Sequence, residues 1–390
     1  MSDGKGVVMV PGTSVVYSDA VVRGTVQRVK DMLECGWTVL GKNTEEFETR
    51  WANVIGRTYA VSTSNDTAAL EIAFRLANVK DRYVVIPTSG FYSIVTAIDR
   101  AGGKPLFVDI SIGEYANYDP VLLAQTLETY SGQIAAVVTM PNGGYPITPA
   151  ILDVLMYAKK IDPQMMIIGD NAQGHGSSVN GVMTGGFEDI ACFSFYATKT
   201  INCGEGGMIL TDDKWVADEA RMYRNYGRAG EFGSSTIVRN GNNWRMTEMQ
   251  AALGAEQVGD YENILARRRA VAYRYLDAAH DGKIGEIALF VPKDGTTCGW
   301  YKIIALLPDG VDKAKFKEYM RLLYGVVMGA DNYDLPITQQ PIFIGRYGGI
   351  RAPAAEEFSR RHVCLPMGED FTVAQTDIVI EGLKTFRKGA

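Results

Sequence analysis

One lysine stands where a solvated charge is unusual. Lys199 follows a short apolar run, Ile190 to Phe195, that reads as a buried strand. Tyr196, Ala197 and Thr198 carry the chain to it, and Gly204, Glu205, Gly206 and Gly207 come soon after. Most lysines beyond a strand are plain surface charges. The sharper reading is an amine that holds a carbonyl compound as a Schiff base. Burial disfavours the ammonium form, and the free amine is the nucleophile. Asp170, after the apolar stretch 165–169, is either a turn-capping aspartate or an acid that faces a ligand. Ser194 is either bonded to backbone or offers its hydroxyl to an anion. Asn65, Asp66 and Thr67 open a helical pattern through Leu70, Ala73, Phe74 and Ala77. They are either ordinary N-cap residues or the rim of a phosphate site, since a helix N-terminus presents free N–H groups and a positive dipole end.

These groups need elements to position them. Residues 83–87, 104–108, 135–140 and 165–169 are short and apolar, as in a sheet buried on both faces. Thr148-Pro149 starts a helix with the stripe Ile151, Leu152, Leu155 and Ala158. The alternation predicts a parallel or mixed α/β sheet with right-handed crossovers, and ligands gather at the carboxyl ends of such strands. Phe91 and Tyr92 follow one strand end; an aromatic there is a core residue or a stacking partner for a flat ring. His175, alone, reads as structural. Thr44 is expected to cap a helix carrying Phe47, Trp51 and Val54. Thr247 and Gln250 form a capping box opening one long helix that reaches Arg267, Arg268 and Arg269, read as a solvated face.

The chain has 390 residues, enough for two domains, and 46% hydrophobic against 22% charged residues gives it a sizeable core. A boundary is expected near 265, giving 1–265 and 266–390. A net charge of −6 argues against nucleic acid as a partner. No apolar run of spanning length predicts a membrane helix, and the first residues carry no secretory h-region. The five cysteines form no CxxC pair, so neither a disulfide framework nor a metal site is expected, and a cytoplasmic location fits.

The pattern Ser194, Phe195, Thr198, Lys199, Gly204, Glu205, Gly206, Gly207 resembles the lysine segment of the DegT/DnrJ/EryC1/StrS sugar aminotransferases, which use pyridoxal 5′-phosphate (PLP). Asp170, Ala172, Gln173, His175 and Gly176 resemble a second family segment, and Gly241 to Ala252 a third. The resemblance runs from the Gly36–Gly41 loop, which in the family lies beside the active site, to Leu365-Pro366. It implies a fold-type I PLP-dependent transferase, aspartate aminotransferase-like: a large mixed-sheet α/β domain, a smaller C-terminal α+β domain, and a homodimer with shared active sites. By resemblance Lys199 is the catalytic Schiff-base lysine, and Asp170 steadies the protonated pyridine nitrogen. Gln173 bonds the phenolic oxygen and Phe91 covers the ring. Asp66, Thr67 and Ser194 hold the phosphate, and Asn243 reaches the phosphate in the other subunit. The family has glycine where this chain has Asp66; a carboxylate suits that place only if it turns away to cap the helix. Tyr333 is a substrate-site candidate. The implied activity is transfer of an amino group from glutamate or glutamine to a keto-sugar, nucleotide-linked, in amino-sugar biosynthesis. A keto-cyclitol is the alternative acceptor. Keto-sugar dehydratases of the family replace the lysine with histidine, and a non-catalytic regulator would relax a constellation that is intact here.

Overall fold

The computed structural model describes residues 9–230 and 235–387; the first eight residues, where no secretory leader is expected, lie outside that range. Helices α1 (Asp19–Cys35) and α2 (Lys42–Ile55) precede β1 (Tyr59–Thr63). Strands and helices then alternate: α3 (Asp66–Leu76), β2 (Tyr83–Pro87), α4 (Ser93–Ala101), β3 (Lys104–Val108), α5 (Pro120–Thr129), β4 (Ile134–Thr139), α6 (Pro149–Ile161) and β5 (Met166–Asp170). Next come β6 (Ile190–Ser194), β7 (Gly207–Thr211) and α7 (Lys214–Arg224).

The seven strands form one sheet in the order β1-β7-β6-β5-β4-β2-β3. β7 runs antiparallel to β1 and β6, and every other pairing is parallel. This is the expected mixed sheet. Every residue of β4, β6 and β7 is buried, which explains their unbroken apolar or small composition. α3 is central: all its residues but Thr67 and Arg75 are buried, with Leu70, Ile72 and Phe74 fully so.

α2 buries Phe47 and Trp51 completely, each worth about 1.5–3 kcal/mol of transfer free energy. Thr44 does not cap it. Gly41 holds the cap position, and Thr44 lies inside the helix. The work falls to Glu248, whose carboxylate accepts the N–H groups of Gly41 and Asn43 at 2.8 Å and of Thr44 at 3.0 Å. A carboxylate from a distant helix serves an N-terminus as well as a local hydroxyl does, with charge added.

Glu248 opens α8 (Glu248–Gly259), which begins with the expected Thr247/Gln250 capping box. The long helix expected there is broken at Asp260, and α9 (Tyr261–His280) continues the chain across the expected boundary. Strands β8 (Ala288–Leu289) and β9 (Ile303–Leu306), helices α10 (Lys313–Tyr324) and α11 (Pro353–Arg361), β10 (His362–Leu365) and α12 (Val373–Thr385) follow. β8, β9 and β10 make an antiparallel sheet. Its core joins Tyr275, Phe316, Phe358 and Leu365, and also takes in Val10, Ile110 and Tyr145 from earlier in the chain.

The Arg267–Arg269 cluster is not wholly a solvated face. Arg268 is only 3% exposed, and its guanidinium donates to the carbonyls of Trp300 at 3.0 Å and Tyr301 at 2.9 Å. Glu369 stands 3.7 Å away. Three charged residues in a row conceal which one points inward.

Candidate active site

A cavity of about 570 Å³ opens at the carboxyl edge of the large sheet. It is lined by Asp66, Thr67, Phe91, Asp170, Gln173, Ser194, Lys199 and Tyr333 together. The β-register explains the convergence. Cys192 lies opposite Asp170, Ser194 opposite Gly207, and Gly207 opposite Thr63. Asp170, Ser194 and the start of α3 therefore end at one level of the sheet. A side chain at Gly207 would place its first carbon 2.4 Å from the Asn65 carbonyl, so glycine there lets α3 begin directly on the strand.

Asn65, not Asp66, caps α3. The Asn65 side chain accepts the Ala68 N–H at 2.9 Å, and Asp66 is the first helical residue. The N–H groups of the first turn have no preceding helical carbonyl to reach, and they point out of the helix end toward any bound anion. Thr67 lines the cavity beside that turn, as does Ser194 on β6, whose Oγ accepts the Tyr196 N–H at 3.3 Å and keeps its own O–H to donate. Asp66 is 8% exposed, and its Oδ1 is buried without a hydrogen-bond partner.

Asp170 ends β5 at 3% exposure and accepts the Ala172 N–H at 3.4 Å. Burial pushes its carboxyl up, while the Lys199 ammonium pulls it down. Gln173 is oriented at both ends: its Oε1 accepts the Gly143 N–H at 2.7 Å, and its Nε2 donates to the Tyr333 phenol at 3.1 Å. Tyr333 is buried, which holds its phenol well above the usual range, so it stays neutral. Phe91 is 49% exposed at the cavity wall, whereas Tyr92 does not line the cavity. Lys199 is half-buried, with its Nζ 4.8 Å from the centre of the Tyr301 ring.

Tyr301, Lys302 and Asn332 also line the cavity, from the C-terminal part of the chain. Tyr301 and Lys302 precede β9, and no local sequence signal marks that this turn faces Lys199. Trp300 has a left-handed backbone, φ 55°, which is uncommon for a bulky residue. The Arg268 bonds to the carbonyls of Trp300 and Tyr301 hold that turn in place. The Tyr301 phenol bonds the Thr198 hydroxyl at 3.1 Å. Burial pushes this phenol up, but Lys199 and Lys302 outweigh it and the net shift is downward.

Two expected groups stand apart. His175 lies under the site among Trp51, Phe193 and Phe195, and its Nδ1 accepts the Ile201 N–H at 3.2 Å. Burial lowers it to about 3, so it is a neutral structural histidine. Asn243 is exposed and does not line this chain's cavity; nor does the Gly36–Gly41 loop. Among the described residues, no cluster of histidine, cysteine and acid side chains is arranged to hold a metal ion, and no helix is long and apolar enough to cross a membrane.

The mixed seven-stranded sheet, with its lysine-bearing cavity at the carboxyl edge, has the architecture of the fold-type I PLP-dependent enzymes. The chain belongs to the DegT/DnrJ/EryC1/StrS aminotransferase family, whose model matches residues 21–384. It is 28% identical over 381 residues to the spore coat polysaccharide biosynthesis protein SpsC of Bacillus subtilis, covering 94% of this chain and 95% of that protein. It is 29% identical over 340 residues to the dTDP-3-amino-3,4,6-trideoxy-alpha-D-glucose transaminase of Micromonospora megalomicea, covering 80% and 85%. Its structure superposes on S. venezuelae DesV, solved in complex with a ketimine intermediate, with TM-score 0.85, 25% identity and coverage of 96% and 98%. The chain is thus an aminotransferase of the sugar-aminotransferase family.

Proposed function

We propose that this protein transfers an amino group from glutamate or glutamine to a nucleotide-linked keto-sugar, using PLP. The observation that carries the reading is the meeting of Lys199, Asp170, Gln173, Thr67 and Ser194 in one cavity. The donor set suits the cofactor group by group. Thr67, Ser194 and the start of α3 take the phosphate, Asp170 the ring nitrogen, Gln173 the phenolic oxygen, Phe91 one ring face, and Lys199 the aldehyde carbon. The cofactor supplies an electron sink for the carbanion that transamination generates.

This chain's own residues supply the rest. The Lys199 Nζ, as a free amine, takes a proton from the donor's α-carbon and later delivers one to the acceptor carbon. Asp170, buried at the end of β5, would as a carboxylate face the ring nitrogen and favour its protonated form. Tyr301 walls the Lys199 amine and limits the directions it can take. The proposal includes a homodimer: Asn243 and the Gly36–Gly41 loop lie away from this chain's cavity, where they serve a second subunit's site.

A half-reaction screen tests the reading. Protein converted to the amine form by glutamate is mixed with nucleotide-linked keto-sugars and with free keto-cyclitols. Return of the aldehyde-form absorbance with a nucleotide-linked keto-sugar is expected. Turnover of a free cyclitol ketone alone overturns the acceptor class.

A further inference from the structure

Asp66 is out of keeping with its surroundings. It is the first residue of α3, it lines the cavity beside Thr67 and Ser194, and it is 92% buried, the complement of its 8% exposure. Its Oδ1 has no hydrogen-bond partner. It neither caps α3, which Asn65 does, nor pairs with a cation within 4 Å among the described residues. A phosphate-binding turn with an ionised carboxylate inside it would repel its ligand.

We propose that Asp66 binds the cofactor phosphate as a neutral carboxylic acid, donating its O–H to a phosphate oxygen. This rests on the PLP reading above. Protonation resolves both anomalies at once. It removes the repulsion and turns an acceptor-only group into a donor at the place where the ligand needs donors. It also lessens the penalty on the unpartnered Oδ1, since a neutral carbonyl oxygen is cheaper to bury than a charged one.

The neighbouring charges favour that form. Burial is the main cause that pushes Asp66 well up, and the Asp170 carboxylate at the end of β5 adds to it; Lys199 alone opposes them. Cys192 on β6 is a thiol held neutral by its own burial. A phosphate dianion arriving at the first turn of α3 pushes the carboxyl further up. The proton comes from solvent, so any fraction of Asp66 that is ionised beforehand takes up a proton as the cofactor binds.

The test uses cofactor-free full-length protein, wild type beside Asp66→Asn and Asp66→Gly. Dissociation constants for PLP, and for pyridoxal, which lacks the phosphate, are read at pH 7 from cofactor absorbance. Wild-type and Asp66→Asn proteins are expected to bind PLP within about threefold of each other, and Asp66→Gly about tenfold more weakly, the loss of one hydrogen bond to a charged group. All three should bind pyridoxal alike. The infrared difference between wild type and Asp66→Asn, both loaded with PLP, should show the C=O stretch of a protonated carboxyl. Binding of PLP about tenfold tighter by both variants than by wild type would overturn the proposal. So would an infrared difference showing only carboxylate. Failure of all three proteins to take up PLP would instead overturn the cofactor reading itself.

Discussion

Gln173 and Tyr333, 160 positions apart in sequence, meet in a hydrogen bond of 3.1 Å inside the cavity. The bond joins the loop after β5 to a segment of the C-terminal part, and it is made between a fixed amide and a neutral phenol. Tyr333→Phe removes the acceptor and leaves the Gln173 Nε2 to swing. We expect kcat/KM to fall about tenfold, equivalent to about 1.4 kcal/mol, with a change in stability of about 1 kcal/mol or less. Steady-state kinetics beside urea unfolding separates the two effects. Equal kinetics in the variant would show that this bond does not orient Gln173.

Glu248 is the cap of a helix it does not belong to. Glu248→Ala strips the acceptor from three N–H groups at the start of α2, those of the Gly41 cap, Asn43 and Thr44, and is expected to cost about 2 kcal/mol. Glu248→Gln, which keeps one acceptor oxygen, should lose about half of that. The shift in urea midpoint at constant slope measures both.

Arg268 holds the Trp300–Tyr301 turn from beneath. Arg268→Met leaves two buried carbonyls without their donor and Glu369 with Arg267 as its remaining cation, and we expect a loss of about 3 kcal/mol. Because the same turn carries Tyr301 and Lys302 into the cavity, KM for the amino donor should rise as well. Arg268→Lys should recover little, since an ammonium does not span two carbonyls as a guanidinium does. Thermal unfolding and donor titrations together check this.

Acid sensitivity has a defined order. His175 is lowered to about 3 and His362 to about 4, both by burial. Below the ordinary histidine value of 6.5 the unfolded chain binds protons that the folded chain refuses, so stability falls as pH drops from there. Each histidine contributes up to about 1.4 kcal/mol per pH unit in that window. Glu46 acts later. Its hydrogen bond to Arg28 holds it at about 2, so its stabilisation is lost only as pH falls from 4.5 toward that value. The His175→Gln protein should therefore show a flatter stability profile between pH 6.5 and 4.5. An unchanged slope there would mean that His175 is protonated in the folded protein.

Much of this site was legible in the chain because its signals are local. The apolar strands, the lysine after one of them and the Asp170 turn each depend on residues within a few positions, and sheet topology brings them to one edge. The Thr247/Gln250 box formed for the same reason. What escaped reading depends on distant partners. Thr44 has the right chemistry for a cap, but Glu248, over two hundred residues later, outcompetes it. Asn65 and Asp66 are equally good caps by type, and only the geometry of the turn chose Asn65. Arg268 looked like its neighbours until the carbonyls it serves were in place. Tyr301 reaches Lys199 from a hundred residues away, and no periodicity announces that.

The proposed chemistry requires that one amine, Lys199, bonds the cofactor. Wild-type and Lys199→Ala proteins are each loaded with PLP, reduced with borohydride, digested and weighed by mass spectrometry. We predict a pyridoxyl adduct on the wild-type peptide at Lys199 and none anywhere in Lys199→Ala. An adduct on another lysine of the wild type, or undiminished labelling of Lys199→Ala, would mean that Lys199 is not the amine that bonds the cofactor.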